Sequence, residues 1–167
     1  MKKTSANMES GLAAEIGKRK PFESLRQEAF LNLVRTHEQL ASEVTRLLKQ
    51  HSLSDAQYNA LRILRGEGEP MQTYQIAQRM ITAQTDISRL VDRLEASELV
   101  ERERSADDRR VVWVSLTSKG KAVLKQLDKP LSELHETQFA GFSDQQLRTL
   151  SKLLFRARQS EAKDNSE

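Results

Sequence analysis

The chain has 167 residues, with 27 Lys and Arg against 24 Asp and Glu, a net charge of +3 and no cysteine. That length suits a single domain with a real hydrophobic core, while the missing cysteine excludes a disulfide framework, a thiolate zinc site and a cysteine redox switch. No apolar run nears the roughly 20 residues a membrane helix requires, and Met1 to Gly11 has no apolar core of a secretory signal, so a cytoplasmic protein with no membrane partner is expected.

Residues 1–20 read as a flexible N-terminal extension, with a basic Lys18-Arg19-Lys20 cluster before Pro21. Leu12 to Ile16 has the composition for one helical turn that docks on a neighbour. Phe22 to Gln50 predicts a long amphipathic helix, with Pro21 at its start, where a missing N–H does no harm. Its stripe (Phe22, Leu25, Ala29, Leu33, Leu40, Val44, Leu47) is long enough to serve both the core and another subunit. His37 falls in register with the stripe and is expected to be a packed core histidine sooner than a ligand. Leu53 to Arg65 predicts a second helix. Ser54 with Gln57 has capping-box spacing, and Leu53 with Tyr58 has the spacing of a hydrophobic staple. Gly66 to Pro70 should end it as a turn.

The next stretch has the pattern of a helix-turn-helix followed by a hairpin. Gln72 or Thr73 opens a third helix with Ile76, Ala77 and Met80 inward. Ile81 to Gln84 connects it to a fourth, from about Gln84 to Ser97. That helix buries Ile87, Leu90, Val91 and Leu94 and presents Thr85, Ser88, Arg89, Asp92 and Arg93. Leu99 to Arg104 and Val111 to Leu116 alternate like the strands of a two-stranded ribbon, with Val112, Val114 and Leu116 inward. Thr117 then caps a fifth helix, Ser118 to about Ala140, in which Pro130 should make a kink. Ser143 with Gln146 is a second capping box, opening a last helix. Residues 161–167 form a polar tail. The predicted fold class is mainly α with a small antiparallel β wing. The predicted domain, 21–160, has a winged helix-turn-helix core at about 53–117, flanked by long helices at about 21–51 and 118–160.

Enzyme chemistry has no visible seat. The six glycines are scattered and form no phosphate loop. His37, His51 and His135 lie on three segments without metal spacing, and no serine sits in a G-x-S-x-G context. No metal, no cofactor and no catalytic residue are expected.

DNA recognition has one. A helix in the major groove reads bases with its first turns, which here hold Gln84, Thr85, Asp86, Ser88 and Arg89, with Arg93 at the edge and Thr73 opening the preceding helix. Arg89 is the strongest single candidate, since arginine bonds guanine through two donors. Asp86 fits a helix cap better than cytosine readout. On the wing, Arg109 and Arg110 can enter a minor groove, although Asp107 to Arg110 taken alone reads as a solvated charged loop. Acids and bases of the winged segment cancel, so bulk charge does not argue for DNA; only placement can.

The combination Arg89-Leu90-Val91-Asp92-Arg93-Leu94-Glu95, Leu99-Val100-Glu101-Arg102, Asp108-Arg109-Arg110 and Val114-Ser115-Leu116-Thr117 with Gly120 resembles the MarR family of bacterial transcriptional regulators. The resemblance runs from about Phe22 to Leu154, and Ile16 to Phe22 resembles an extension in one branch. It implies a homodimer with the first and last two helices interleaved, bound to a palindromic operator, usually as a repressor. It also implies release by a small phenolic or other anionic effector, for which His37 and Tyr58 are the candidate pocket residues. In the family pattern the aspartate matching Asp92 pairs with the wing arginine matching Arg110. Asp86 departs from the threonine common at the start of the recognition helix. The missing cysteine excludes the peroxide-sensing branch, and the histidines do not fit the zinc-sensing branch. The rival expectations are a winged-helix module that binds a protein through Thr85 to Arg93, and a ligand-binding or enzymatic helical domain around His37 and Tyr58.

Overall fold

A computed structural model describes residues 11–106, 108 and 111–159. Arg109, Arg110, Asp107 and the outermost tails lie outside the described residues. Two compact units divide the chain, one ending at Pro130 and the other beginning at Leu131.

In the first unit, α1 (Leu12–Glu15) is the single docked turn that its composition predicts. Leu12 and Ala13 are buried, so part of the expected flexible extension is ordered. The Lys18 ammonium sits 5.3 Å from the centre of the Phe22 ring. The long helix α2 (Leu25–Lys49) begins three residues later than the apolar spacing suggests. Ser24 sets its start by accepting from the Gln27 N–H at 3.2 Å, and Gln27 Oε1 accepts from Glu23 N–H at 2.9 Å. These side chains satisfy one free amide of the first turn and one just ahead of the cap, so Pro21 lies outside the helix. His37 is exposed on α2, not packed in a core. On this long helix only Leu48 is fully buried.

Helix α3 (Asp55–Glu67) starts as read, with both halves of the Ser54–Gln57 capping box formed. It ends at Gly68, whose φ of 81° is a left-handed conformation that glycine adopts at little cost; Gly66 therefore belongs to the helix. Next comes an element that the sequence pattern does not reveal, β1 (Met71–Gln72), followed directly by α4 (Thr73–Arg79). Then α5 (Ile87–Ala96), β2 (Val100–Arg104) and β3 (Val112–Leu116) complete the core. The sheet is three-stranded in the order β1-β3-β2, all antiparallel, so the wing is not a free two-stranded ribbon. Met71 pairs with Val114, and Arg102 pairs with Val114 from the other side. Val114 is consequently fully buried, whereas Val112 and Leu116 are half-buried at the ends.

The core of this unit gathers Leu61, Leu64, Ile76, Leu90, Val91, Leu94, Val100 and Val114 with Leu124 and Leu127 from α6 (Ser118–Gln138). Burying a side chain of this size contributes about 1.5–3 kcal/mol each before ordering costs. Gly120 in the first turn of α6 is needed for close approach. A Cβ there would stand 2.2 Å from the Leu99 carbonyl oxygen. That same oxygen accepts from the Thr117 N–H at 3.2 Å, and Thr117 Oγ1 accepts from the Gly120 N–H at 3.0 Å. Helix α6 runs on through Pro130 without ending.

In the second unit, α7 (Asp144–Gln159) opens at the Ser143–Gln146 box, with Ser143 N–H donating to Gln146 Oε1 at 2.8 Å. Phe139 and Phe142 meet edge to face at 6.0 Å. No residue of α7 is buried; Leu153 and Phe155 are each more than half exposed.

Candidate nucleic-acid interface

Helix α5 owes its position to a split between its two faces. Leu90, Val91 and Leu94 are buried on one side, and Ser88, Arg89, Asp92 and Arg93 are exposed on the other, as the spacing predicts. Its start differs from expectation. Asp86 is the N-cap, with Oδ1 accepting from the Arg89 N–H at 2.9 Å. Gln84 and Thr85 consequently lie in the connection ahead of the helix, not in its first turn. An aspartate outcompetes its neighbours here because its carboxylate satisfies a free amide and complements the positive end of the helix. The Gln84 amide is turned back on the chain, 3.3 Å from the carbonyl oxygens of both Thr82 and Ala83.

The C-terminal end of α5 is closed by reversed bonds. Leu99 N–H donates to the Leu94 carbonyl at 2.9 Å and Glu98 N–H to that of Glu95 at 2.8 Å, with Glu98 at φ 60°. Glycine is the usual residue at such a position. The Glu98 carboxylate meets Lys119 Nζ at 2.9 Å, and this neighbour holds its pKa below the ordinary carboxylate value. The turn directs the chain into β2, with Val100 and Arg102 on the face toward the core.

Arg102 is the joint between helix and wing. Its guanidinium lies 2.6 Å from Asp92, 3.3 Å from Glu95 and 3.3 Å from the Ser88 carbonyl oxygen. Only a quarter of the side chain is exposed. Asp92 is therefore engaged with the second strand of the sheet. The expected partner, Arg110, lies outside the described residues. Arg102 shares a strand face with Val100, and nothing in the sequence marks it as the partner of two acids.

Beside this joint is a concavity lined by Thr73, Ser88, Asp92, Arg102, Arg104 and Val112. It brings the opening residue of α4, the exposed face of α5 and the wing together. The structure also resolves the charge cancellation seen in the sequence. Asp86 is committed to Arg89, Asp92 and Glu95 to Arg102, Glu98 to Lys119, and Glu101 accepts from Ser115 Oγ at 3.1 Å. Arg93 and Arg104 are exposed and have no ion-pair partner among the described residues. Placed donors thus remain on a surface whose acids are largely occupied.

Behind the interface, α4 is fixed to α3 by an ion pair between Arg79 and Glu67, which raises the arginine pKa and lowers that of the glutamate. Asn59 Oδ1 accepts from Ile81 N–H at 2.9 Å, holding the connection that leads to α5. His37 is exposed on α2 and Tyr58 is half-buried on α3. The open hollow along α2 is lined by Glu38, Ala41, Ser42, Thr45, Arg46 and Lys49 and includes neither.

Comparison with known proteins agrees with this geometry. The MarR family model matches residues 53–112, from the residue before the α3 cap to the first residue of β3. A MarR transcription factor from Planctomyces limnophilus is 42% identical, with a TM-score of 0.63, over 80% of this chain and 98% of that one. The homoprotocatechuate degradative operon repressor of Escherichia coli is 26% identical over 73% of this chain and 82% of its own length. An organohalide-sensing regulator crystallised with 2,4-dichlorophenol shares the fold, with a TM-score of 0.76 at 21% identity over 86% of this chain and 87% of its own. The chain belongs to the MarR family of transcriptional regulators, which are DNA-binding proteins and not enzymes.

Proposed function

We propose that the protein is a repressor that binds a palindromic operator as a homodimer and is released by a small phenolic or other anionic effector. The observation that carries the DNA-binding surface is the shared concavity of α4, α5 and wing, with Arg104 in its lining and Arg93 exposed on α5, neither with an ion-pair partner among the described residues. In this reading Ser88 and Arg89 face base edges, Thr73, Arg93 and Arg104 take phosphates, and Gln84 and Thr85 approach the backbone from the connection. Asp92 braces the wing, whose Arg109 and Arg110 reach the minor groove. Phosphate contacts position the protein and base contacts select the site.

Dimerisation is supported separately by each unit. Helix α2 exposes Leu25, Phe30, Leu33 and Val34, and α7 exposes Leu153 and Phe155. Apolar side chains repeating along a helix are expected to be covered, and this proposal covers both sets with a second copy of the chain. In this reading His37, exposed on α2, and Tyr58, half-buried on α3, are the residues assigned to the effector. Loss of effector binding heat in His37→Ala would support that assignment, and unchanged heat would remove it.

The experiment for the whole reading is a gel shift with the DNA upstream of the protein's own gene over a series of salt concentrations. Specific binding that falls steeply with salt is expected from counterion release. Salt-insensitive or absent binding would favour the alternative, a winged-helix module that docks a protein partner.

A further inference from the structure

Asp86 is an acid in the segment expected to approach DNA, where a carboxylate meets repulsion from phosphates. A helix cap alone does not require that charge, because serine or threonine caps nearly as well. The geometry shows what else the carboxylate does. Oδ1 accepts from the Arg89 backbone N–H at 2.9 Å, and Oδ2 lies 3.0 Å from Arg89 Nε. One carboxylate therefore holds both the main chain and the side chain of the residue three positions on. The Arg89 side chain is 82% exposed, so no packing directs it.

The atom that is held matters. An arginine gripped at Nε keeps its two terminal nitrogens free, each with a hydrogen on the end-on edge of the guanidinium. Two parallel donors match the O6 and N7 acceptors of guanine in the major groove. They do not match adenine, whose N6 amino group is itself a donor, nor cytosine, which offers its N4 amino donor. Asp86 is a fixed support because its other oxygen is tied to the helix. An exposed pair of this kind is weak in water, but the interaction strengthens in a groove from which water is excluded.

We propose that Asp86 is a positioning residue that aims the free end of Arg89 at a guanine in each half-site, so that an acid at the cap sets specificity. The proposal rests on the DNA-binding reading above and adds to it the base that is read. The carboxylate should also suppress binding to mixed-sequence DNA by repelling phosphates.

The test is selection from a random duplex pool by the wild-type protein, Asp86→Ser, Asp86→Asn and Arg89→Ala, with affinities measured on the selected site and on mixed-sequence DNA. Both Asp86 variants retain an oxygen for the cap and remove the charge, so one remains informative if the other folds poorly. The wild type should select a guanine in each half-site that Arg89→Ala no longer selects. Asp86→Ser and Asp86→Asn should keep the rest of the operator, lose that guanine preference and bind the operator on the order of tenfold more weakly. They should bind mixed-sequence DNA more tightly. Retention of the guanine preference in both Asp86 variants would overturn the proposal and leave the acid as a cap only. A cytosine lost only in the Asp86 variants would overturn it in favour of direct readout by Asp86. A wild-type operator unaffected by Arg89→Ala would overturn it by making Arg89 a phosphate contact. No enrichment by the wild type would instead defeat the DNA-binding reading itself.

Discussion

Asp92 on α5 and Arg102 on β2 stand 2.6 Å apart, and Glu95 one turn along the helix reaches the same guanidinium at 3.3 Å. Helix α5 and the wing are thus joined through the second strand. One arginine between two acids also removes a repulsion that the acids would exert on each other and on phosphates. Arg102→Met should leave the helical circular dichroism intact and weaken operator binding about tenfold, within the range of one lost charged contact at an interface. Asp92→Asn should have a smaller effect, because Glu95 still engages Arg102. Equal operator affinity in wild type and Arg102→Met would contradict a bracing role.

Gly120 tests the packing of α6 on the turn after α5. A methyl group there would overlap the Leu99 carbonyl oxygen, which is backbone and cannot swing aside. Gly120→Ala should destabilise the protein by about 1–3 kcal/mol, the usual cost of overpacking, even though alanine favours helix. Thermal unfolding is the measurement. An unchanged or higher melting temperature would show that the turn can move.

The ion pair between α3 and α6 has a pH signature. Arg65 holds Asp128 through two hydrogen bonds, of 2.9 and 2.6 Å, and Arg62 approaches the same carboxylate at 3.8 Å. The Arg65 hydrogen bond draws the Asp128 pKa below its ordinary 3.8. A carboxyl whose folded pKa is depressed stabilises the fold above its unfolded pKa, and that stabilisation is lost as pH falls through the folded pKa. Asp128→Asn should therefore lower the melting temperature at neutral pH and make progressively less difference below about pH 4. Both side chains are partly exposed, so solvent screening limits the effect to about 1 kcal/mol or less. A stability difference that does not change with pH would assign the effect to shape and not to charge.

Subunit association is the fourth prediction. Light scattering after size exclusion should give twice the chain mass. Phe30→Glu on α2, or Leu153→Glu on α7, should shift the population to monomer while α5 and the wing keep their fold. A wild-type monomer at micromolar concentration would contradict the two-half-site reading.

Local chemistry was readable from sequence where the partner lay within a turn. Ser54 with Gln57 and Ser143 with Gln146 form the caps their spacing announces, and the buried face of α5 follows from helical period. Elements defined by distant partners were not readable. The two residues of β1 show no periodicity, and their strand exists only because β3 pairs with them. Arg102 became a joint only when packing set its strand face toward α5. Arg65 and Asp128 are 63 positions apart. Asp86 was legible as a cap, but displacing Gln84 and Thr85 into the connection required the observed start of the helix. The register of His37 on the apolar stripe implied burial, yet α2 leaves much of that stripe uncovered within one chain, so the histidine is exposed.

The most direct test of the account is selection of genomic DNA fragments by the purified full-length protein, with bound fragments sequenced at low and physiological salt. The predicted result is an inverted repeat whose half-site centres lie about one helical turn apart, roughly 34 Å, with occupancy falling as salt rises. Recovery of no sequence above the starting pool, or of a single unrepeated site at every salt concentration, would contradict it.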